Sequence, residues 1–351
     1  MVFIHGNTLS LLYRIFLSVS YHSRRKKDRK IICTVYESFA LVYHIKCKDY
    51  YRENCRNSMK ANFHTHTLYC DGKNTPEEMI LEAISAGFDV LGFSGHSYTS
   101  FDEGYCMGRK QTEIYCTEIR RLAEKYKDQI QILCGIEQDR YADDSASDFD
   151  YAIGSVHAFF KPCESLLEKY PGGIIAADGG CFIYVDWTAE AMEWAVRNLY
   201  NGDSLALAED YYETLATFSG DPDVQIIGHL DLLTKFEEKL ISDRKQPLFD
   251  TEHPRYMQAA RKTIETLASA GKIFEINTGA MAKSYRSMPY PSLPLLRIIR
   301  ESGGRIMINS DCHEAGKLDW AFKQAAEIAR EAGFTALDYP LPENNILEVM
   351  L

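Results

Sequence analysis

From residue 59 onward, short apolar runs end one after another on a histidine or a carboxylate. The first leads to His64-Thr65-His66, with Asp71-Gly72 in the next loop. Gly92-Phe93-Ser94-Gly95 delivers His96, Gly135-Ile136 delivers Glu137, and Ile153-Gly154-Ser155-Val156 delivers His157. Val224-Gln225-Ile226-Ile227-Gly228 leads to His229 and Asp231, and the last run ends in Ser310-Asp311-Cys312-His313. Amphipathic stretches separate the runs, which is the pattern of repeated strand–helix units around a mainly parallel sheet. In such folds function gathers at the C-terminal ends of the strands, where these polar residues fall.

The spacing predicts strands at 60–66, 89–95, 130–137, 151–156, 224–229, 272–277 and 304–310. Helices are predicted at 75–86, 110–126, 188–200, 204–218, 254–270, 292–302 and 319–332. The first is marked most clearly: Thr75 can cap it, Pro76 suits its first turn, Glu78 completes a capping box, and Gly87 ends it. Residues 161–187 are the least regular part and read as an insertion or hairpin after the fourth strand. The pattern implies one barrel-like α/β domain over 59–351, although periodicity alone does not separate a closed barrel from an open parallel sheet.

The first 58 residues differ from the rest. They carry 11 Lys and Arg against 4 Asp and Glu, whereas the remainder carries 28 against 46. Their apolar run, residues 8–19, is interrupted by Arg14 and too short to span a bilayer. Arg24, Arg25, Lys26 and Lys27 come after that run, whereas a secretory signal carries its positive charge in front. We expect the natural chain to start at Met59, with 1–58 an upstream extension; a basic membrane-associating extension and a disordered tail are the other readings. A body as acidic as 59–351 is a poor nucleic-acid surface. The ten cysteines include no CxxC pair, which suits reduced thiols in a cytoplasmic protein.

Residues i and i+2 of a strand point the same way, so His64 and His66 can grip one ion, as can Asp311 and His313. Imidazole suits Zn, Fe and Mn, while carboxylates favour hard cations and can bridge two of them. Singly, each residue has an ordinary structural explanation. Together they do not: six of the seven histidines after residue 59 sit at predicted strand ends, and His253 alone does not. His64, His66, Asp71, His96, Glu137, His157, His229, Asp311 and His313 are too many ligands for one ion and suit a cluster of two or three.

These residues resemble the polymerase-and-histidinol-phosphatase (PHP) superfamily of metallophosphoesterases, over essentially all of 59–351 and none of 1–58. The resemblance implies a distorted (β/α)7 barrel with two or three divalent ions (Zn, Mn or Fe) at the strand C-termini. It makes all nine residues metal ligands, with Glu137 as the bridge. One grouping sets His64, His66, Glu137 and Asp311 on the first ion and Glu137, His157 and His229 on the second. Asp71, His96 and His313 then serve the third. His64-Thr65-His66-Thr67 with Cys70-Asp71-Gly72, Ile227-Gly228-His229-Leu230-Asp231-Leu232 with Lys235-Phe236, and Phe274-Glu275-Ile276-Asn277-Thr278-Gly279-Ala280 running on to Tyr285-Arg286 and Pro289-Tyr290-Pro291 look most like histidinol-phosphatases. Relatives often carry Arg-Gly where this chain has Lys283-Ser284, so a positive charge stays but the bidentate fork is lost.

The resemblance also implies a reaction: hydrolysis of L-histidinol phosphate to L-histidinol and phosphate, by in-line attack of a metal-activated hydroxide. Glu137, Asp311 and His229 carry the chemistry, and Arg286, with Lys283 or Arg255, holds the phosphate; Arg286 also reads as an ordinary structural arginine. Metal-bound water or Asp231 protonates the leaving group. Another small phosphate ester, such as a nucleotide or sugar phosphate, is the alternative substrate, and a non-catalytic metal-binding domain is the rival from a different class. No Walker A motif and no GxGxxG entering a helix is present.

Overall fold

The computed structural model describes residues 59–163, 170–243, 245–341 and 345–351, so the expected extension 1–58 lies outside the described residues. Seven staves build the core: β1 (Ala61–Asn62), β2 (Val90–Phe93), the pair β3 (Gln131–Cys134) and β4 (Ile136–Asp139), β5 (Ala152–Ser155), β9 (Ile226–Ile227), β10 (Ile273–Asn277) and β11 (Arg305–Asn309). They form two parallel sheets, in the orders β1-β2-β3 and β11-β10-β9-β5-β4. Gly135 joins the sheets at one seam. At the other, Thr65 bridges Cys312, His66 N donating to Cys312 O at 2.9 Å and Cys312 N to His64 O at 3.3 Å. The ring is therefore closed, and the (β/α)7 barrel is distorted at its seams.

The run expected as one strand over 130–137 is broken because Tyr151 fills the barrel beside it. A Cβ on Gly135 would lie 2.3 Å from the Tyr151 ring, and one on Gly92 2.3 Å from its hydroxyl oxygen. That hydroxyl donates to Phe63 O and, at 3.0 Å, to Phe93 O, while the ring meets Phe63 edge-on. The strand expected over 60–66 shrinks to two residues because side chains replace its ladder partners: Phe63 N donates to Asn309 Oδ1 at 2.8 Å and Thr65 N to Ser94 Oγ at 3.1 Å. Similarly, His229 N leaves the ladder after β9 and donates to Glu275 Oε2 at 3.0 Å.

Helices α1 (Pro76–Ser85), α2 (Arg109–Tyr126), α3 (Ala189–Leu199), α4 (Ser204–Ala216), α6 (Pro254–Ser269), α8 (Leu293–Glu301) and α9 (Phe322–Glu331) fall where expected, to within a few residues. The Thr75–Glu78 capping box is formed in both directions. Short helices α5 (Glu237–Ser242) and α7 (Gly279–Ala282) were not anticipated, nor was the antiparallel hairpin of β12 (Ala336–Leu341) and β13 (Asn345–Met350). Within the irregular stretch 161–187, described residues contribute to a three-stranded antiparallel sheet, β6 (Ala158–Pro162), β8 (Gly180–Tyr184) and β7 (Ile174–Ala177), inserted directly after His157. Among the described residues no helix is long and apolar enough to cross a membrane.

Candidate metal centre

The strand ends surround one cavity of about 240 Å³, lined by Asp71, His96, His157, His229, Asp311 and His313, with His64, His66 and Glu137 packed against these ligands. Glu137, at the start of β4 and 1% exposed in its side chain, is the hub. Its Oε2 lies 3.3 Å from His64 Nε2, 3.5 Å from His66 Nε2 and 2.9 Å from His96 Nδ1. Its Oε1 lies 3.0 Å from His229 Nε2 and 3.3 Å from His157 Nε2. Asp311 Oδ1 stands 3.2 Å from His66 Nε2 and 3.7 Å from His64 Nε2, on a backbone held at φ +47°. A positive φ is unfavourable for aspartate and is tolerated where surrounding structure fixes it, as functional sites do. Asp71 completes the ring, 3.0 Å from His313 Nε2 and 3.6 Å from His96 Nε2. All nine expected ligand candidates are thus brought together.

Donor atoms gather in three groups that can each hold an ion: His66, Asp71, His96 and His313; His64, His66 and Asp311; and His96, Glu137 and His157. His66 and His96 each stand in two of them, so the clusters overlap. The electrostatics are those of a cation site. Burial pushes the Glu137 carboxyl up, but the imidazoles of His64, His157 and His96 outweigh it and hold it well below the usual range. Burial acts the same way on Asp311 and is outweighed by His64, His66 and Lys283. His66, buried beside His313 and His96, is brought down to about 3 and stays neutral. A neutral imidazole and ionised carboxylates are the ligating forms.

Sequence reasoning missed the residues that aim the ligands. Glu275, fully buried in β10, accepts from His64 Nδ1 at 2.6 Å, Asn277 Nδ2 at 2.8 Å and Asn309 Nδ2 at 3.0 Å. The carboxylate thus makes Nδ1 of His64 the donor and turns Nε2 toward Glu137 and Asp311, the ring orientation that metal sites use. Asp139 does the same for His157, 3.3 Å from its Nδ1. The available signal was a glutamate inside the apolar run Ile273-Phe274-Glu275-Ile276.

Among the expected substrate contacts, only Lys283 lines the cavity. Arg255 does not reach it: the guanidinium is forked onto Glu209, at 2.9 and 2.7 Å, and Asp203, at 2.9 Å, at the surface end of α6. Three carboxylate bonds hold it there, which corrects that assignment. Arg286 is placed in the wall, its guanidinium 4.3 Å over the Tyr290 ring and donating to Thr234 Oγ1, so it touches the cavity through Tyr290. Lys235 lines the cavity in its stead. Asp231 is buried, with Oδ2 accepting from Ser292 N at 3.0 Å.

A closed parallel barrel whose strand ends converge on one set of donors defines a metal-binding barrel protein. The chain belongs to the PHP domain family, whose profile matches residues 62–279. With this donor set it is a PHP-family metal-dependent phosphoesterase. It is 26% identical over 301 residues to a Schizosaccharomyces pombe protein named "Probable histidinol-phosphatase", covering 80% of this chain and 89% of that one. It is 25% identical over 291 residues to the histidinol-phosphatase of Bacillus subtilis, covering 76% of this chain and 98% of that one. The fold matches the structure of a histidinol phosphate phosphatase from Lactococcus lactis, complexed with Zn, L-histidinol and phosphate. There the TM-score is 0.56 at 22% identity, over 82% of this chain and 98% of the other.

Proposed function

We propose that the domain over 59–351 hydrolyses L-histidinol phosphate to L-histidinol and phosphate, as a reduced cytoplasmic enzyme holding two or three divalent ions. The reaction class rests above all on one observation. His64 Nε2, His66 Nε2, Glu137 Oε2 and His229 Nδ1 are buried and have no hydrogen-bond partner among the described residues. Orphaned buried polar atoms are costly and rare, and here three of the four converge, Glu137 Oε2 lying 3.3 Å from His64 Nε2 and 3.5 Å from His66 Nε2. Divalent ions fit them. The choice of substrate is supported by the relatives named for histidinol phosphate along nearly their whole length. The reduced compartment is supported by the free thiols of Cys70, Cys106, Cys116, Cys134, Cys163, Cys181 and Cys312.

His64, His66 and Asp311 would hold one ion, Glu137 with His157 and His229 another, and Asp71, His96 and His313 a third. Bound there, divalent ions supply Lewis acidity and make hydroxide available near neutral pH. The chain's own residues do the rest. Glu275 and Asp139 orient His64 and His157, so the donors need no rearrangement. Lys235 and Lys283 put positive charge on the cavity wall, where phosphoryl oxygens need it. Arg286 braces Tyr290 by stacking on its ring.

Metal-loaded protein assayed against histidinol phosphate, nucleotide monophosphates and sugar phosphates tests the reading. Histidinol phosphate is expected to give the highest kcat/KM. Better turnover of a nucleotide or sugar phosphate would remove the substrate assignment and keep the reaction class.

A further inference from the structure

The barrel has a second cavity at its other end. It measures about 590 Å³ and lies where the strands begin, so the length of the strands separates it from the metal centre. Gln225, Lys272 and Arg305 line it from the starts of β9, β10 and β11, whose register sets Ile273 level with Ile226 and with Arg305. The hairpin of β12 and β13 supplies a further wall through Leu341 and Ile346, and is pinned by Tyr339, whose ring stacks on Phe63 at 5.5 Å. Nothing in the proposed hydrolysis uses this floor of the barrel.

Two cations stand here without a paired carboxylate. Lys272, 6% exposed, donates from Nζ to the backbone oxygens of Asp221 at 2.5 Å and Val224 at 2.6 Å. An ammonium group has a further N–H to give. Arg305 donates from Nη2 to Gly271 O at 2.5 Å, which leaves the rest of its guanidinium for another acceptor. Among the described residues neither forms an ion pair: Asp221 and Asp223 act on Lys272, and Asp338 on Arg305, from beyond ion-pair distance. A buried ammonium held by carbonyls alone carries a desolvation cost that a carboxylate offsets.

The same lining holds two carboxylates with an oxygen to spare. Asp221 Oδ1 accepts from Asp223 N at 2.9 Å and Asp150 Oδ2 from Cys134 N at 2.7 Å; among the described residues their other oxygens take no hydrogen bond. These carboxylates repel a dianion and the two cations repel a metal ion, whereas a zwitterion meets both signs. Lys272 Nζ sits on the backbone of Asp221, the residue whose carboxylate shares the lining. Opposite charges are thus offered close together, as an α-amino acid presents them. Phe149, Leu341 and Ile346 add apolar surface for a side chain.

We propose that the floor of the barrel is a second binding site, for a free amino acid with an apolar side chain. Lys272 and Arg305 take its carboxylate, Asp221 its ammonium group, and Phe149, Leu341 and Ile346 its side chain. The site stands apart from the metal centre and does not depend on the phosphatase reading.

Calorimetry on the metal-loaded full chain tests this with L-leucine, with 4-methylpentanoate, which lacks only its amine, and with 3-methylbutylamine, which lacks only its carboxylate. L-leucine is expected to bind at about one per chain, and about tenfold or more tightly than either relative. Arg305→Gln weakens L-leucine about tenfold and leaves 3-methylbutylamine unchanged; Asp221→Asn weakens it by about as much and leaves 4-methylpentanoate unchanged. Both positions are partly exposed, so these variants keep the fold, which a urea midpoint checks. Glu137→Gln, at the metal centre, leaves L-leucine binding unchanged. No binding of L-leucine, binding that either floor variant leaves intact, or binding lost in Glu137→Gln overturns the site. 4-Methylpentanoate binding as tightly as L-leucine overturns the amino-acid assignment.

Discussion

The two halves of the barrel interior are filled by opposite rules. Low in the barrel, Tyr151 fits against Gly92 and Gly135, and its one polar atom is satisfied by two carbonyls. A few residues further along the same strands, Glu137, His64, His66 and His229 keep buried atoms without partners among the described residues. Strands that satisfy their polar groups in one layer and leave them open in the next have reserved the second layer for something from outside. The lower layer supplies stability and the upper one function, with Glu275 and the Asn277 and Asn309 amides as the rigid mount between.

Replacing one partner at a time sharpens that contrast. The largest effect is expected from Glu137→Gln, which keeps the shape but removes the charge shared by the surrounding imidazoles. Turnover should fall about a thousandfold with the unfolding midpoint nearly unchanged; full activity in this variant would refute the hub role. Glu275→Gln comes next, because it loosens the hold on the His64 ring without removing a ligand. Metal affinity should weaken about 10- to 100-fold in a chelator competition. Tyr151→Phe acts on the lower layer and should cost about 1–2 kcal/mol in urea unfolding, with metal content intact. Loss of metal in that variant would break the separation between layers.

The smallest effect lies outside both layers. Burial pushes the Glu237 carboxyl up from 4.5 to about 7, against the backbone donors of Leu248 and Phe249 and the charge of Arg286. A raised carboxyl binds its proton more tightly when folded, so its contribution is present below about pH 4.5 and is lost as the pH rises through about 7. Urea midpoints of wild type and Glu237→Gln should therefore converge near pH 5 and differ, with Gln the more stable, near pH 8. Parallel curves across that range would contradict this.

The seven staves and nine candidate ligands were legible in the sequence because apolar runs and terminal histidines are local signals. The features that were not legible depend on neighbours far along the chain. The break at Gly135 needs Tyr151 beside it, and the shortening of β1 needs Asn309 and Ser94. Arg255 and Arg286 were equally plausible phosphate clamps by residue type. Only tertiary placement distinguishes one forked on Glu209 and Asp203 from one stacked on Tyr290, and puts Lys235 in the cavity. Glu275 read as part of a strand because nothing in Phe274-Glu275-Ile276 tells which imidazole it will meet. The inserted sheet was visible only as irregularity, since its short strands pair across turns rather than alternating cleanly.

Whether the upper layer is a multinuclear metal centre is tested most directly by elemental analysis of the purified chain. At least two divalent ions per chain are expected, in line with the overlapping donor groups, with a loss of at least one of them in Glu137→Gln. Wild-type protein that binds less than one ion per chain after loading with Zn, Mn or Fe would contradict it.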